Sequence, residues 1–392
     1  MSEWKKVKLG DYCLKIGSGS TPKGGSTVYV ESGTSFIRSQ NVYNLSFDYN
    51  GLTHITEEAA NKLKGVTVFD EDILLNITGD SVARTCIVPN DVLPARVNQH
   101  VAIVRVDRKK MNGRFLNYYL ASPRMQAYML SLAVGKGASR NAMTKQMIEN
   151  FEVPCPPLDT QQRIAAILSR YDSLIENYQK QIKLLEESAQ RLYKEWFIDL
   201  RFPGHENTKI VDGVPEGWEK KKINEIALLK AGGDKPEIVS ENRTKICNIP
   251  IYSNGTSNEG LYGYTDKPEI TEHCITISAR GSVGYTVMRR KPFVPIVRLI
   301  SVIPQSIYVG YLYFYTKQIP LDSNGAAQQQ ITIPMIRDKE IIIPTNFILD
   351  ELERCLEPMF KHIDDLKSLI RHLTEARDRL LPKLMSGEIK IN

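Results

Sequence analysis

The sequence predicts a mixed α/β (α+β) chain built as a duplicated globular half. Each copy is followed by a long helix, and the two helices pair as an antiparallel coiled coil. Three observations predict this. Blocks from the first half recur in order in the second. Each copy ends in an apolar stripe of alternating four- and three-residue steps. The remainder is rich in strand-like runs such as HVAIVRVD and FVPIVRLISVI.

The repeat organises the rest. WKKVKLGDYC begins at Trp4 and WEKKKINEIA at Trp218, an offset of 214. The same offset carries Gly19 onto Gly233, Pro22 onto Pro236 and FIRSQ (36–40) onto PIYSN (250–254). Further on, ILLNITGDSVARTCIV (73–88) matches CITISARGSVGYTVM (274–288), and Ser81 falls on Ser282 at an offset of 201. GASRNAMTKQMI (137–148) then matches GAAQQQITIPMI (325–336) at an offset of 188. Matched blocks with shrinking gaps mean one fold duplicated, its loops free to diverge. Between the blocks, RFLNYYLASPRMQAYMLSL reads as a helix interrupted near Pro123.

EVPCPPL (152–158) and IIIPTNF (341–347) each lead into a long helix. The first carries Ile164, Leu168, Tyr171, Ile175, Tyr178, Ile182, Leu185, Ala189, Leu192 and Trp196 on one seam. The second carries Leu352, Leu356, Met359, Ile363, Leu366, Ile370, Leu373, Arg377, Leu380 and Leu384. So narrow a stripe suits one partner helix better than a broad globular face. At about 1.5 Å per residue, helices of about 30–35 residues are about 45–50 Å long. Asp159 and Gln162 suggest a capping box. Arg377 is expected to place a buried charge or an opening in the seam. Pro358 is expected to kink the second helix or mark its start, and Pro382 to disturb its last turn.

Composition excludes several classes. The 392-residue chain has room for two or more domains, and its 42% hydrophobic and 24% charged content is ordinary for a globular protein. No apolar run of about 18 residues offers a membrane span. MSEWKKVKLGD lacks the apolar core of a signal peptide, so a cytoplasmic location is expected. Cys13, Cys86, Cys155, Cys247, Cys274 and Cys355 form no C-x-x-C pair and read as reduced, buried thiols. His273 beside Cys274 has no second ligand pair at zinc spacing, so no metal site is expected. A net charge of +6 permits a nucleic-acid partner without demanding one.

The stretch GSGSTPKGGST (17–27) poses the question of a phosphate loop. Gly19 and Gly24 have the spacing, but Gly25 stands where such a loop needs Lys, and Lys23 precedes the second Gly. Its counterpart AGGDKPE does not hold the Lys in place. No cofactor loop, G-x-S-x-G or Asn-Pro-Pro-aromatic motif appears, so no catalytic residues are assigned and the chain is not expected to be an enzyme. What the loops do offer is nucleic-acid chemistry. Arg matches guanine edges, Asn and Gln match adenine edges, and Lys and hydroxyls suit phosphates.

The first-half candidates are Ser20, Thr21, Lys23, Arg38, Ser39, Gln40, Asn41, Thr78, Ser81, Arg84, Lys136, Ser139, Arg140 and Asn141. The second-half candidates are Lys235, Tyr252, Ser253, Asn254, Ser278, Arg280, Ser282, Gln328, Gln329 and Gln330. The frame persists while the tips change: Arg38 falls on Tyr252 and Arg140 on Gln328. Two copies with different tips would read two different half-sites.

The chain also resembles a known family. The motifs are Trp4…Leu9, STPKGG, FIRSQN, LLNITGDSVARTCIV and the run from GASRNAMT through VPCPPLDTQQRIAAIL. The connector LRFPGHE…GVPEGW (200–218) and RLLPKLMSGEI (379–389) complete the set. In that order, and repeated, they are similar to the specificity (S) subunits of type I restriction–modification systems.

The resemblance implies two target recognition domains, residues 1–157 and 218–345, each binding half of a bipartite double-stranded DNA site. It implies central helices over 158–199 and 346–392, with a connector at 200–217. The coiled coil would set the spacing and dock two adenine-N6 methyltransferase (M) subunits. These would hold S-adenosylmethionine, leaving this chain without a cofactor, and two restriction (R) subunits would join through them. A silent or decoy variant that only binds methyltransferase is the alternative. QQQIT in place of RNAMT, and the shorter middle of the second copy, depart from the pattern of the first.

Overall fold

The computed structural model describes residues 4–134, 141–319 and 330–389. The chain forms two compact units, residues 1–179 with 367–392 and residues 180–366.

The first unit opens with β1 (Lys6–Lys8), β2 (Cys13–Ser18), β3 (Tyr29–Val30), β4 (Thr34–Ile37), β5 (Val42–Tyr43), β6 (Ser46–Phe47) and β7 (Thr53–Ile55). Then come α1 (Glu57–Lys62), β8 (Thr67–Val68), β9 (Ile73–Asn76), β10 (Thr85–Ile87), β11 (Ala95–Val97) and β12 (Val101–Val106). α2 (Gly113–Ala121), α3 (Pro123–Ala133), α4 (Lys145–Glu149), β13 (Glu152–Pro154) and α5 (Leu158–Tyr193) complete it, α5 running on into the second unit. One sheet has the order β10-β9-β12-β2, all antiparallel. The other has the order β3-β7-β4-β11-β8, with β4 and β11 parallel. β1 pairs with β13 and closes the unit.

The core forms where continuous apolar strands leave no wet face. Every residue of β9 is buried, as are all of β12 but Arg105. α2, capped by Asn112 Oδ1 accepting from Phe115 N at 2.9 Å, lays Phe115, Leu116 and Leu120 onto this sheet. Ser122 caps α3 and Pro123 takes its first position, so the expected interruption is two helices meeting at Ala121–Pro123.

The second unit adds β14 (Ile210–Val211), β15 (Val214–Pro215), β16 (Glu219–Lys222), α6 (Ile223–Ile226), β17 (Ala227–Ala231), β18 (Ile249–Tyr252) and β19 (Leu261–Thr265). β20 (Cys274–Ile277), β21 (Thr286–Arg289), β22 (Val294–Pro295), β23 (Ile300–Pro304), α7 (Val309–Gln318), α8 (Ile333–Arg337), β24 (Glu340–Ile343) and α9 (Asn346–Met385) follow, α9 ending in the first unit. Its sheets repeat the first unit's topology. β21-β20-β23-β17 matches β10-β9-β12-β2, β19-β18-β22 matches β7-β4-β11, and β16–β24 matches β1–β13. The hairpin β5–β6 has no counterpart among the described residues.

Hydrogen bonds shift the repeat by one residue in three places. Gly19 N donates to Val101 O and Gly232 N donates to Leu299 O, both at 2.9 Å, so Gly19 corresponds to Gly232 rather than Gly233. Asn98 N donates to Ile37 O and Ile296 N to Tyr252 O, so Tyr252 stands where Ile37 does and Arg38 falls on Ser253. The offset of 188 holds, since Met143 N meets Ile77 O as Ile331 N meets Ala279 O, and these bonds set Ile77 on Ala279, one residue beyond the offset of 201. FVPIVRLISVI is two strands, β22 and β23, with a reversal at Val297–Arg298.

Each unit holds a stretch of both helices side by side. In the first, Ile164 and Leu168 of α5 share a core with Leu381, Leu384 and Met385 of α9, so the helices run antiparallel. In the second, Ala189 and Tyr193 of α5 share a core with Leu352, Leu356, Phe360 and Ile363 of α9. Leu366 is buried as well. Tyr171, Ile175, Tyr178, Ile182, Leu185 and Leu192 are half-buried, as are Met359, Ile370, Leu373 and Leu380. The seam is thus closed near the globular cores and half open along its middle.

Two helix expectations are corrected, and a third, the charge at Arg377, is met. α5 starts at Leu158, with Gln161 N bonded to Pro157 O at 3.1 Å, so Asp159 is no cap; it pairs instead with Arg163 at 2.9 Å. α9 runs unbroken from Asn346 to Met385, so Pro358 does not mark its start. Pro358 and Pro382 both lie on the exposed side, where water can replace the missing N–H partner. Arg377 is a half-buried charge without an opening. Its Nη1 lies 2.7 Å from Asp172 Oδ1, and Asp172 also accepts from the Tyr118 hydroxyl of α2. Burial and the Asp172 charge both raise the Tyr118 hydroxyl pKa. No helix among the described residues is long and apolar enough to cross a membrane. Burial pushes the Cys13, Cys86 and Cys274 thiols up to about 12, so they stay protonated and unreactive.

Candidate nucleic-acid interface

The turns that end β2, β4, β9 and β11 converge in the first unit. The turn after β2 enters through Gly19, where a Cβ would lie 2.0 Å from Val97 O. Ser20 N then donates to Val97 O at 3.0 Å, and the exposed Thr21 hydroxyl donates to Gln99 Oε1. Gln99 Nε2 lies 3.1 Å from His100 Nε2, and His100 Nδ1 lies 2.6 Å from Thr78 Oγ1. Thr78 bridges to Ala142, and Gly79 N donates to Asn141 O at 3.0 Å. Asn76 Nδ2 reaches Ser39 O at 2.8 Å. Ser20, Thr21, Ser39, Thr78 and Asn141 are therefore brought together. Gln99 and His100, which sequence reasoning missed, form the link. Their signal was the polar run NQH between two apolar strands.

The clash at Gly19 gives a direct expectation. Gly19→Ala should destabilise the first unit by about 1–3 kcal/mol through overpacking against backbone that cannot move aside, read as a lower urea midpoint.

Other candidates are placed differently. Arg38 folds back on its own loop, Nη2 donating to Gly51 O at 2.7 Å, and Gln40 Nε2 shares that carbonyl at 3.2 Å. Arg84 leaves the turn to lie 4.5 Å over the exposed Tyr43 ring. Ser81 is half-exposed in the same turn, and Lys23 is exposed beyond Pro22. Asn41 is corrected from a surface contact to an internal brace. It is 0% exposed, accepts from Arg38 N at 3.0 Å, and donates to Asp48 O at 2.9 Å. Lys136, Ser139 and Arg140 lie outside the described residues.

The second unit gathers the equivalent turns through one residue. Asn254 Oδ1 accepts from Ala279 N and its Nδ2 donates to Val297 O, both at 2.7 Å. Val297 N and Arg298 N donate to Gly233 O and Gly232 O, both at 2.8 Å. Ser253 and Ser282 are half-exposed here, and Lys235 and Arg280 exposed. Gln330 is half-exposed beside Ile331, whose N–H reaches Ala279 O at 3.0 Å. Gln328 and Gln329 lie outside the described residues.

Tyr252 lies under the buried Arg289 guanidinium, 3.6 Å from its ring centre. Arg289 Nη2 also donates to Glu259 O at 2.6 Å, and burial lowers its pKa. Ser278 is corrected too: it is buried, its backbone bonded to Tyr285 and Gly284 at 2.9 Å, so it shapes the turn from within.

Two copies of one frame, each gathering polar turns at one end of its sheets, define a chain with two recognition-type modules. The pattern of the family described as "Type I restriction modification DNA specificity domain" matches residues 1–187 and 215–364. The chain belongs to that family and is a specificity subunit of the type I restriction–modification class.

It is 28% identical to the type I restriction enzyme MjaIX specificity subunit of Methanocaldococcus jannaschii, over 99% of this chain and 94% of that one. It is 23% identical to the HindI specificity subunit of Haemophilus influenzae, over 99% and 100%. Its fold matches the crystal structure of the type I restriction-modification S subunit from M. genitalium with a TM-score of 0.61, covering 97% and 96% of the two chains at 16% identity.

Proposed function

We propose that this chain reads bipartite double-stranded DNA for a type I complex and performs no chemistry itself. Residues 1–157 and 218–345 act as the two recognition domains, 158–199 and 346–392 as the helical scaffold, and 200–217 as the connector. One observation carries the reading. The two units share strand order and converging turns, yet present Thr21, Thr78, Gln99 and His100 in one and Lys235, Arg280, Val297 and Arg298 in the other. A shared frame with different tips suits two different half-sites.

The half-open seam, with Leu174, Leu184 and Leu369 exposed beside it, supports docking of two adenine-N6 methyltransferase subunits. These supply S-adenosylmethionine, and restriction subunits join through them. The relatives' names, specificity subunits of restriction enzymes, point the same way.

The test is methylation mapping by single-molecule sequencing in a host expressing this chain with its methyltransferase, against the methyltransferase alone. The expected result is a two-part motif of methylated adenines that appears only with this chain. Replacing residues 1–157 with another recognition domain should change one half alone. A stable complex that adds no methylation would instead mark a silent variant.

A further inference from the structure

We propose that the reversal joining β11 to β12 (residues 98–100) and its counterpart joining β22 to β23 (residues 296–298) are specificity-determining loops. Gln99 and Thr78, positioned by His100, contact base edges of the first half-site; Val297 and Arg298 contact those of the second. The inference rests on the DNA-recognition reading above and assigns residues to it.

The two turns are equivalent by hydrogen bonding. Asn98 N and Ile296 N each donate back to the parallel neighbouring strand, at Ile37 O and Tyr252 O. Gln99 therefore stands where Val297 does, and His100 where Arg298 does.

In the first copy the polar chain fixes its own proton directions. The Gln99 amide nitrogen only donates, so His100 Nε2 accepts at 3.1 Å and the imidazole carries its proton on Nδ1. That proton points at Thr78 Oγ1, 2.6 Å away. The Thr21 hydroxyl meanwhile donates to Gln99 Oε1. Two hydrogens are left over, the second amide N–H of Gln99 and the hydroxyl of Thr78. They lie on opposite sides of the imidazole, so each can meet one acceptor of a base edge, such as the O6 or N7 of guanine in the major groove.

In the second copy the turn at this place has another conformation, built by strain. Val297 and Arg298 hold φ values of 54° and 61°, a left-handed conformation that a β-branched residue rarely adopts. Bonds to Gly232, Gly233 and Asn254 enforce it. A Cβ at Gly232 would lie 2.7 Å from the Pro295 carbonyl, so only glycine permits this approach. The result presents Val297, 48% exposed, beside an exposed Arg298 that makes no ion pair among the described residues. Backbone strain that a structure over-determines clusters where ligands are held. Arg suits a guanine edge and Val the methyl of thymine, a different pair from the first copy.

The experiment is methylation mapping of Gln99→Ala, His100→Ala, Val297→Gly and Arg298→Ala, each co-expressed with the methyltransferase. Discrimination at one base position should fall about tenfold or more. The first two variants should relax the first half only, and the last two the second half only. Val297→Gly removes the side chain while relieving the backbone, so its loss of discrimination is not a folding defect. Wild-type motifs and occupancy in all four variants, or relaxation in the wrong half, would overturn the assignment. If wild type itself yields no two-part motif, the DNA-recognition reading fails and the loop assignment falls with it.

Discussion

Leu356→Ala is expected to lower the stability of the unit spanning residues 180–366 by about 3–4 kcal/mol, within the range for large-to-small changes in a core that cannot collapse. Leu356 is fully buried in a cluster with Leu352, Phe360, Leu312 and Phe314. It docks α9 onto α7 at a glycine notch, where a Cβ on Gly310 would lie 3.1 Å from Leu356 Cδ1. Both helices are fixed there by several other buried side chains, so the lost methyl groups leave a void rather than a closer approach. Urea unfolding followed by hydrogen exchange would localise the effect. Amides within 180–366 should lose protection while those of β9 and β12 keep theirs. A loss below about 1 kcal/mol would mean the site repacks and would remove Leu356 from the anchoring set.

Arg290→Met is the second large effect, about 3 kcal/mol at pH 7. That is the low end for breaking a buried ion pair, because the carboxylates are partly wet. Arg290 follows β21 and grips α9. Nη1 and Nη2 each lie 2.8 Å from a Glu357 oxygen, and Nε lies 2.8 Å from Asp364. Glu357 is 45% exposed and Asp364 31%, which screens the pair.

The pH dependence has a definite sign. The bonds from Arg290 hold the Glu357 carboxyl below its ordinary 4.5, so its stabilisation is present above 4.5 and is lost as pH falls through the folded value. Burial, with repulsion from Glu357, raises Glu353, so ionising that group works against the fold as pH rises through its folded value. Without Arg290 the two carboxylates repel at neutral pH, with only His273 and Lys361 left to offset the charge of Glu357. The gap between wild type and variant should therefore be widest near pH 7 and narrow as pH falls below 4.5 through the folded value of Glu357. Acid and neutral melts of the two proteins measure it. A gap independent of pH would show that Arg290 acts through packing alone.

The duplicated plan, the α/β class, the helix break at Pro123 and the two long helices were legible because each rests on chain-local patterns. These are repeated blocks, a 3–4 apolar step and an N1 proline. The half-buried Arg377 was legible as a break in an apolar stripe, although its partner Asp172, 205 residues away along the chain, was not. Of the candidate loop residues, Ser20, Thr21, Ser39, Thr78 and Asn141 fell at the converging turns, while Arg38, Gln40 and Arg84 turned away from them. Spacing could not tell a reading side chain from a bracing one. Asn41, Asn254 and Ser278 look like surface polar residues in sequence, and all three hold neighbouring backbone in the fold.

What the sequence alone determined is the period, the helical seam and the polar character of the turns, all properties of neighbours along the chain. The tertiary structure decided the rest. Val297–Arg298 carries no Gly, Asn or Asp, so nothing local announces a reversal, and contacts from Gly232, Gly233 and Asn254 force a conformation that local preference would refuse. The one-residue shifts at Gly232 and Ser253 have the same origin. Ladder hydrogen bonds between distant strands fix the register, and they fix it where glycine alone fits against a carbonyl.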